Sequence, residues 1–115
     1  MLTEAMEKKC LEIARFYGFD AQTNQLIEEC AELIQAINKY KRKHIGGQPL
    51  VGPVSTWDQV VEEIADVEVM LCQIKQLFGI TELEVEDVAE RKIERTMMRM
   101  GESNEREGAN ECNHT

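Results

Sequence analysis

Apolar residues recur along this chain at steps of three and four, broken by a few glycines and prolines, and that rhythm predicts helices. Leu2, Met6, Cys10, Ile13, Ala14 and Tyr17 make the first stripe. It places a helix over about Leu2 to Tyr17, with Thr3 as cap, Gly18 as terminator and Asp20 capping the next helix. The second helix, from about Ala21 to Lys43, gathers Leu26, Cys30, Leu33, Ile34 and Ile37 on one face. Gly46, Gly47, Pro49, Gly52 and Pro53 cannot continue it, so residues 45–54 read as a loop, either a lid or a crossover. A third helix starts at Ser55 or Thr56, where Ser55 and Asp58 have capping-box spacing. Its stripe of Val60, Ile64, Val67, Leu71 and Ile74 is widened by Ala65, Val69, Met70, Cys72 and Leu77. A helix apolar nearly all round is central to its fold or faces a second subunit. Trp57 at its start reads as an apolar anchor or a stacking partner for a base. Gly79 stops this helix, and Thr81 with Glu84 opens a fourth that runs to about Met100. Val85, Val88, Ala89, Ile93, Met97 and Met100 are its expected core stripe. Beyond Gly101 almost nothing is apolar, so the tail is expected to be disordered.

The expected architecture is therefore all-α: a four-helix bundle-like domain over residues 1–100 and a disordered tail over 101–115. Aromatic residues make up only 5% of the chain, so aliphatic and Met side chains must fill the core. A chain of 115 residues buries a modest fraction of its surface. A homo-oligomer, dimer or tetramer, packing through the helices is expected. The net charge of −9 argues against binding a nucleic-acid polymer, which favours a basic footprint. It leaves room for a small phosphorylated ligand, because bound cations reverse the local field. Cys10, Cys30, Cys72 and Cys112 form no CxxC pair, and no apolar run is long enough to cross a bilayer. With no secretory signal pattern at the start, a reducing cytoplasm is the expected setting.

One pattern stands apart from the packing stripes. Gln25-Leu-Ile-Glu-Glu-Cys-Ala-Glu-Leu33 returns 34 residues later as Gln59-Val-Val-Glu-Glu-Ile-Ala-Asp-Val67. Residues three apart share a helix face, so Glu29 pairs with Glu32, and Glu63 with Asp66. Each pair keeps the same offset from its own apolar stripe. Packed stripe to stripe, the two helices bring four carboxylates to one gap, where they repel unless a cation neutralises them. All-oxygen ligation of this kind selects magnesium, with manganese as the alternative. A di-iron site asks for Glu-x-x-His on two helices, and His44 and His114 are in no such motif. Glu28 and Glu62 turn farther from the stripe, as auxiliary groups or solvated ones. The basic run Lys39-Tyr-Lys-Arg-Lys-His44 suits a helix C-terminus, with a supporting polyphosphate contact as a second reading. On the fourth helix Lys92, Arg95 and Arg99 share a flank, within an arc of about 60°.

Glu28-Glu29-Cys30-Ala31-Glu32 followed by Glu63-Ile64-Ala65-Asp66 resembles the all-α nucleoside triphosphate pyrophosphohydrolases, the MazG-like superfamily that includes helical dUTPases and dCTPases. The resemblance covers about Ala21 to Arg99. It implies magnesium ligation by Glu29, Glu32, Glu63 and Asp66, with Glu28 as helper. It also implies phosphate contacts from Lys92 and Arg95. Two departures stand out. Thirty residues separate Glu32 from Glu63, which is long for the family, and Glu90 stands where an Asn often precedes the lysine. The expected activity is magnesium-dependent conversion of a nucleoside triphosphate, in a deoxy form, to monophosphate and pyrophosphate, with Glu28 or Glu29 taking a proton from the attacking water. The alternatives are a phosphoribosyl-ATP-type pyrophosphohydrolase and a non-catalytic helical interaction module.

Overall fold

The computed structural model describes residues 2–45 and 56–113. Every element among the described residues is an α-helix: α1 Glu4–Tyr17, α2 Phe19–Ile45, α3 Thr56–Phe78 and α4 Glu82–Asn113. The expected loop beyond Ile45 and the Ser55 cap lie outside the described residues. The chain divides into two compact units, Met1–Gly79 and Ile80–Thr115.

Local chemistry sets the helix ends. The Thr3 hydroxyl accepts from the Met6 amide at 3.2 Å, satisfying one of the orphan donors of the first turn of α1. Gly18, at φ 85°, closes α1 by donating its amide to the Ala14 carbonyl. The turn is tight enough that α2 begins at Phe19, so Asp20 lies in the first turn of α2 and does not cap it. Its carboxylate still complements the helix N-terminus from there. Gly79, at φ 72°, follows the last residue of α3. Thr81 and Glu84 form the reciprocal box at the start of α4: the Glu84 amide donates to the Thr81 hydroxyl, and the Thr81 amide donates to the Glu84 carboxylate at 2.8 Å. Those bonds from Thr81 hold the Glu84 carboxyl below its ordinary value. α4 continues past the expected end near Met100 to Asn113. Over Gly101–Asn104 no side chain is buried.

In the first unit α3 is the central helix, packed along α2 and against α1. Two aromatic pairs show that α2 and α3 run antiparallel. Phe19 at the start of α2 stacks on Phe78 at the end of α3, centroids 5.4 Å apart, and Tyr40 near the end of α2 meets Trp57 at the start of α3 at 6.0 Å. Trp57 is thus an apolar neighbour of Tyr40. α1 is held by its small faces: Cys10 and Ala14 are buried, and Gln76 of α3 donates to the Glu7 carbonyl. The buried apolar set is small: Cys10, Ala14, Ala36, Met70, Cys72 and Ile74. Buried beside it are three polar residues, Gln22, Thr56 and Gln73.

The stripe expected to be core in α4 is not buried: Val85, Val88, Ile93, Met97 and Met100 are all exposed. Periodicity identifies which face is apolar, but burial requires a surface to cover it. In the first unit Ile13, Ile34, Ile37, Ile64 and Leu71 are likewise exposed.

Burial and the adjacent Cys10 push the Cys72 thiol up to about 11. A protonated thiol is a poor nucleophile. In a Cys30→Ala, Cys112→Ala background, Cys10 and Cys72 should therefore react with an aromatic disulfide reagent about a hundredfold more slowly in the native protein than in urea. Equal rates in the two states would show that α1 does not stay packed on α3.

Candidate functional site

The groove between α2 and α3 gathers the repeated carboxylates. Glu29, Glu32 and Glu63 each offer an oxygen, and these three atoms lie within 4.8 Å of one another. Asp66 sits beside them, near enough for the Glu29 charge to act on its carboxyl. Antiparallel packing explains the convergence. The ridge Gln22, Gln25, Glu29, Glu32, Ala36, Lys39 on α2 rises by threes and fours. It faces the ridge Gln73, Met70, Asp66, Glu63, Gln59 on α3.

The cluster is electrostatically unsatisfied. One oxygen of Glu29 and one of Glu63 are buried with no hydrogen-bond partner. Burial, then the charges of Glu32, Asp66, Glu29 and Glu62, raise the Glu63 carboxyl above its ordinary value. Burial raises Asp66 too, followed by the charge of Glu29. A solvated acidic face would leave its oxygens in water; these are turned inward. Orphaned buried carboxylate oxygens with no nitrogen or sulfur donor among them fit a hard divalent cation.

Glu28 and Glu62 are exposed and stand outside the group of three. Lys92 and Arg95 are exposed on α4, in the second unit, one turn apart on the same face.

One participant escaped the motif-based reading. Gln25 donates its amide to the Glu29 carboxylate at 2.7 Å and orients it. Lys39 lines a cavity of about 330 Å³ together with Glu32, Glu63, Gln59 and Gln35, so a cation shares the groove with two of the cluster's carboxylates. A signal for Gln25 was present: both copies of the repeat open with Gln, four residues ahead of a cluster carboxylate. Lys39 opens the basic run for which a supporting polyphosphate contact is the second reading.

The raised carboxyls fix the sign of a pH effect. A group whose folded pKa lies above its unfolded value, here 4.5 for Glu63 and 3.8 for Asp66, holds its proton more tightly in the native state. Stability then falls as pH rises through that window. Chelator-treated protein should lose melting temperature between mildly acidic and neutral pH, and Glu63→Gln should reduce that slope. A slope unchanged by Glu63→Gln would remove the carboxylate crowding as its cause.

Residues 18–101 match the MazG nucleotide pyrophosphohydrolase domain, a span that includes both halves of the acidic cluster as well as Lys92 and Arg95. Among curated proteins and among solved structures, nothing matches the chain. No helix among the described residues is long and apolar enough to cross a membrane. The matched span is well over half of the chain, and the protein belongs to the MazG family of nucleotide pyrophosphohydrolases.

Proposed function

We propose that this chain is a divalent-metal-dependent hydrolase that converts a nucleoside triphosphate, in its deoxy form, to the monophosphate and pyrophosphate. The observation that carries the reading is the inward-turned cluster, with Glu29, Glu32 and Glu63 oxygens within 4.8 Å and buried orphan oxygens on Glu29 and Glu63. Membership in a pyrophosphohydrolase family supports the reaction class.

Glu29, Glu32, Glu63 and Asp66 would hold the metal, magnesium or manganese. When bound, it supplies charge neutralisation for the triphosphate and a lowered pKa for a water molecule. The chain's own groups do the rest. Gln25 fixes the Glu29 carboxylate, so that one oxygen is committed and the other stays turned into the groove. Glu28, exposed and next in sequence to a ligand, is assigned the proton of the attacking water, with Glu29 the alternative acceptor. Lys39 faces the end of the groove beyond Glu32 and Glu63, where a cation stabilises negative charge on departing phosphates. Lys92 and Arg95 are assigned to the same phosphates on the resemblance of α4 to the family pattern. Catalysis of this kind rests on positioning and electrostatics.

Pyrophosphate release from each dNTP, with magnesium, is the direct assay. Glu63→Ala should lower kcat by roughly a hundredfold or more, as the loss of one preorganised stabilising group does elsewhere. Lys39→Ala, Lys92→Ala and Arg95→Ala should lower kcat more than they raise KM. An undiminished rate in Glu63→Ala would refute the assignment.

The chain is also proposed to work as a homo-oligomer, dimer or tetramer, with a second copy covering the apolar face of α4. Ile93, Met97 and Met100 are 62%, 57% and 53% exposed on one face, a degree of apolar exposure that chains usually cover. Light scattering should return two or four times the 13.2 kDa chain mass. Ile93→Glu with Met97→Glu should return it to one, and a monomeric wild type would end the proposal.

A further inference from the structure

Past Glu29 and Asp66 the groove opens into a second cavity, of about 400 Å³, that the acidic cluster does not use. Its volume lies within the range of roughly 300–1,000 Å³ typical of small-ligand sites. Ile13, Tyr17, Gln22, Gln25, Met70 and Gln73 line it, and no lining residue carries a charge. Gln22 is 4% exposed and Gln73 3%, and the side-chain oxygen of each is buried with no hydrogen-bond partner. Buried amide oxygens without partners are costly, and two of them on one cavity wall point to a donor supplied from outside the chain.

The position of this cavity gives the donor its identity. Gln22 lies seven residues before Glu29, and Gln73 seven after Asp66, which places both about 10 Å from the carboxylates along their helices. Gln25 touches both sites, lining the cavity and donating to Glu29. The opposite end of the groove holds Lys39. A nucleotide whose α-phosphate sits at the carboxylates therefore has one uncharged direction for its base and one cationic direction for its leaving phosphates. Apolar side chains from Ile13 and Met70 and the ring of Tyr17 suit a flat heterocycle.

We infer that this cavity is a nucleobase subsite in which the carboxamides of Gln22 and Gln73 select a base bearing an exocyclic amino group. The two unpaired atoms are acceptors, so the matching edge presents N–H groups. Cytosine, adenine and guanine each carry an amino group with two N–H donors, whereas thymine and uracil offer two carbonyl oxygens around a single ring N–H. The assignment rests on the proposed nucleotide chemistry of the neighbouring carboxylates, and it adds base selection by residues outside the repeated motif.

The test measures binding and turnover separately. Magnesium-dependent binding of α,β-imido analogues of dCTP, dATP, dGTP, dTTP and dUTP is followed by calorimetry for wild type, Gln22→Leu, Gln73→Leu and Gln73→Met. Pyrophosphate release is followed in parallel with the natural dNTPs. Wild type should bind at least one amino-bearing nucleotide about tenfold or more tightly than dTTP or dUTP, and each substitution should bring that ratio to within about threefold. Without nucleotide the substituted proteins should melt at or above the wild-type temperature, because each loses a buried unpaired amide. Folded variants that keep the wild-type ratio, or a wild type that binds all five analogues equally, would overturn the subsite. So would a wild type that binds none. Base-selective binding lost in the variants, in a protein that releases no pyrophosphate, would remove the hydrolase reading and leave the subsite standing.

Discussion

Mutual repulsion among Glu29, Glu32, Glu63 and Asp66 is the constraint around which the α2–α3 pair is built. Four acidic groups brought to one groove, two with oxygens buried and unpaired, oppose the packing that brings them together. Raised Glu63 and Asp66 carboxyls are the same opposition expressed as proton affinity. Aromatic clasps at both ends, Phe19 on Phe78 and Tyr40 on Trp57, hold the pair against it. The fold thus keeps a destabilising charge cluster in place, which makes sense when a cation is part of the working state.

A consequence is that the pair has a polarity along its length. Seven-residue steps carry both ridges from carboxylates to amides in one direction, and the α2 ridge from Glu32 to Lys39 in the other. The acidic centre is common to any chemistry on a phosphoric anhydride, whereas the flanking groups differ in kind: uncharged and aromatic on one side, cationic on the other. On the proposed reading, reaction type and substrate choice are separable properties of this groove, with separate residues to alter.

What could be read from the sequence follows from how local each feature is. The caps at Thr3, Gly18, Gly79 and Thr81–Glu84 need only neighbours within four residues, and they stand where their chemistry puts them. Asp20 went astray by a residue or two because Gly18 lets α2 begin at once. The carboxylate cluster was legible because its spacing is written twice. Burial was less so: Ile93 and Met97 mark an apolar face in any helical projection, yet whether that face is covered depends on a surface the sequence does not specify. The amides were the least visible. Gln22 and Gln73 look like ordinary solvated helix residues until α1 closes over them, and only their seven-residue spacing from Glu29 and Asp66 hints otherwise.

Small chains face a particular difficulty in holding such a site. Among the described residues only six apolar ones are buried, and several of the largest aliphatic side chains remain exposed. An acidic groove needs rigid walls, because a carboxylate displaced by about 1 Å no longer shares an ion with its neighbours. Neither α1, joined to α3 mainly through Cys10, Ala14 and one glutamine, nor a core this thin supplies much rigidity alone. A second copy covering the exposed apolar faces would supply it. On this view self-association and metal binding are two halves of one energetic problem: the first adds the apolar burial the chain lacks, the second removes the repulsion the chain contains.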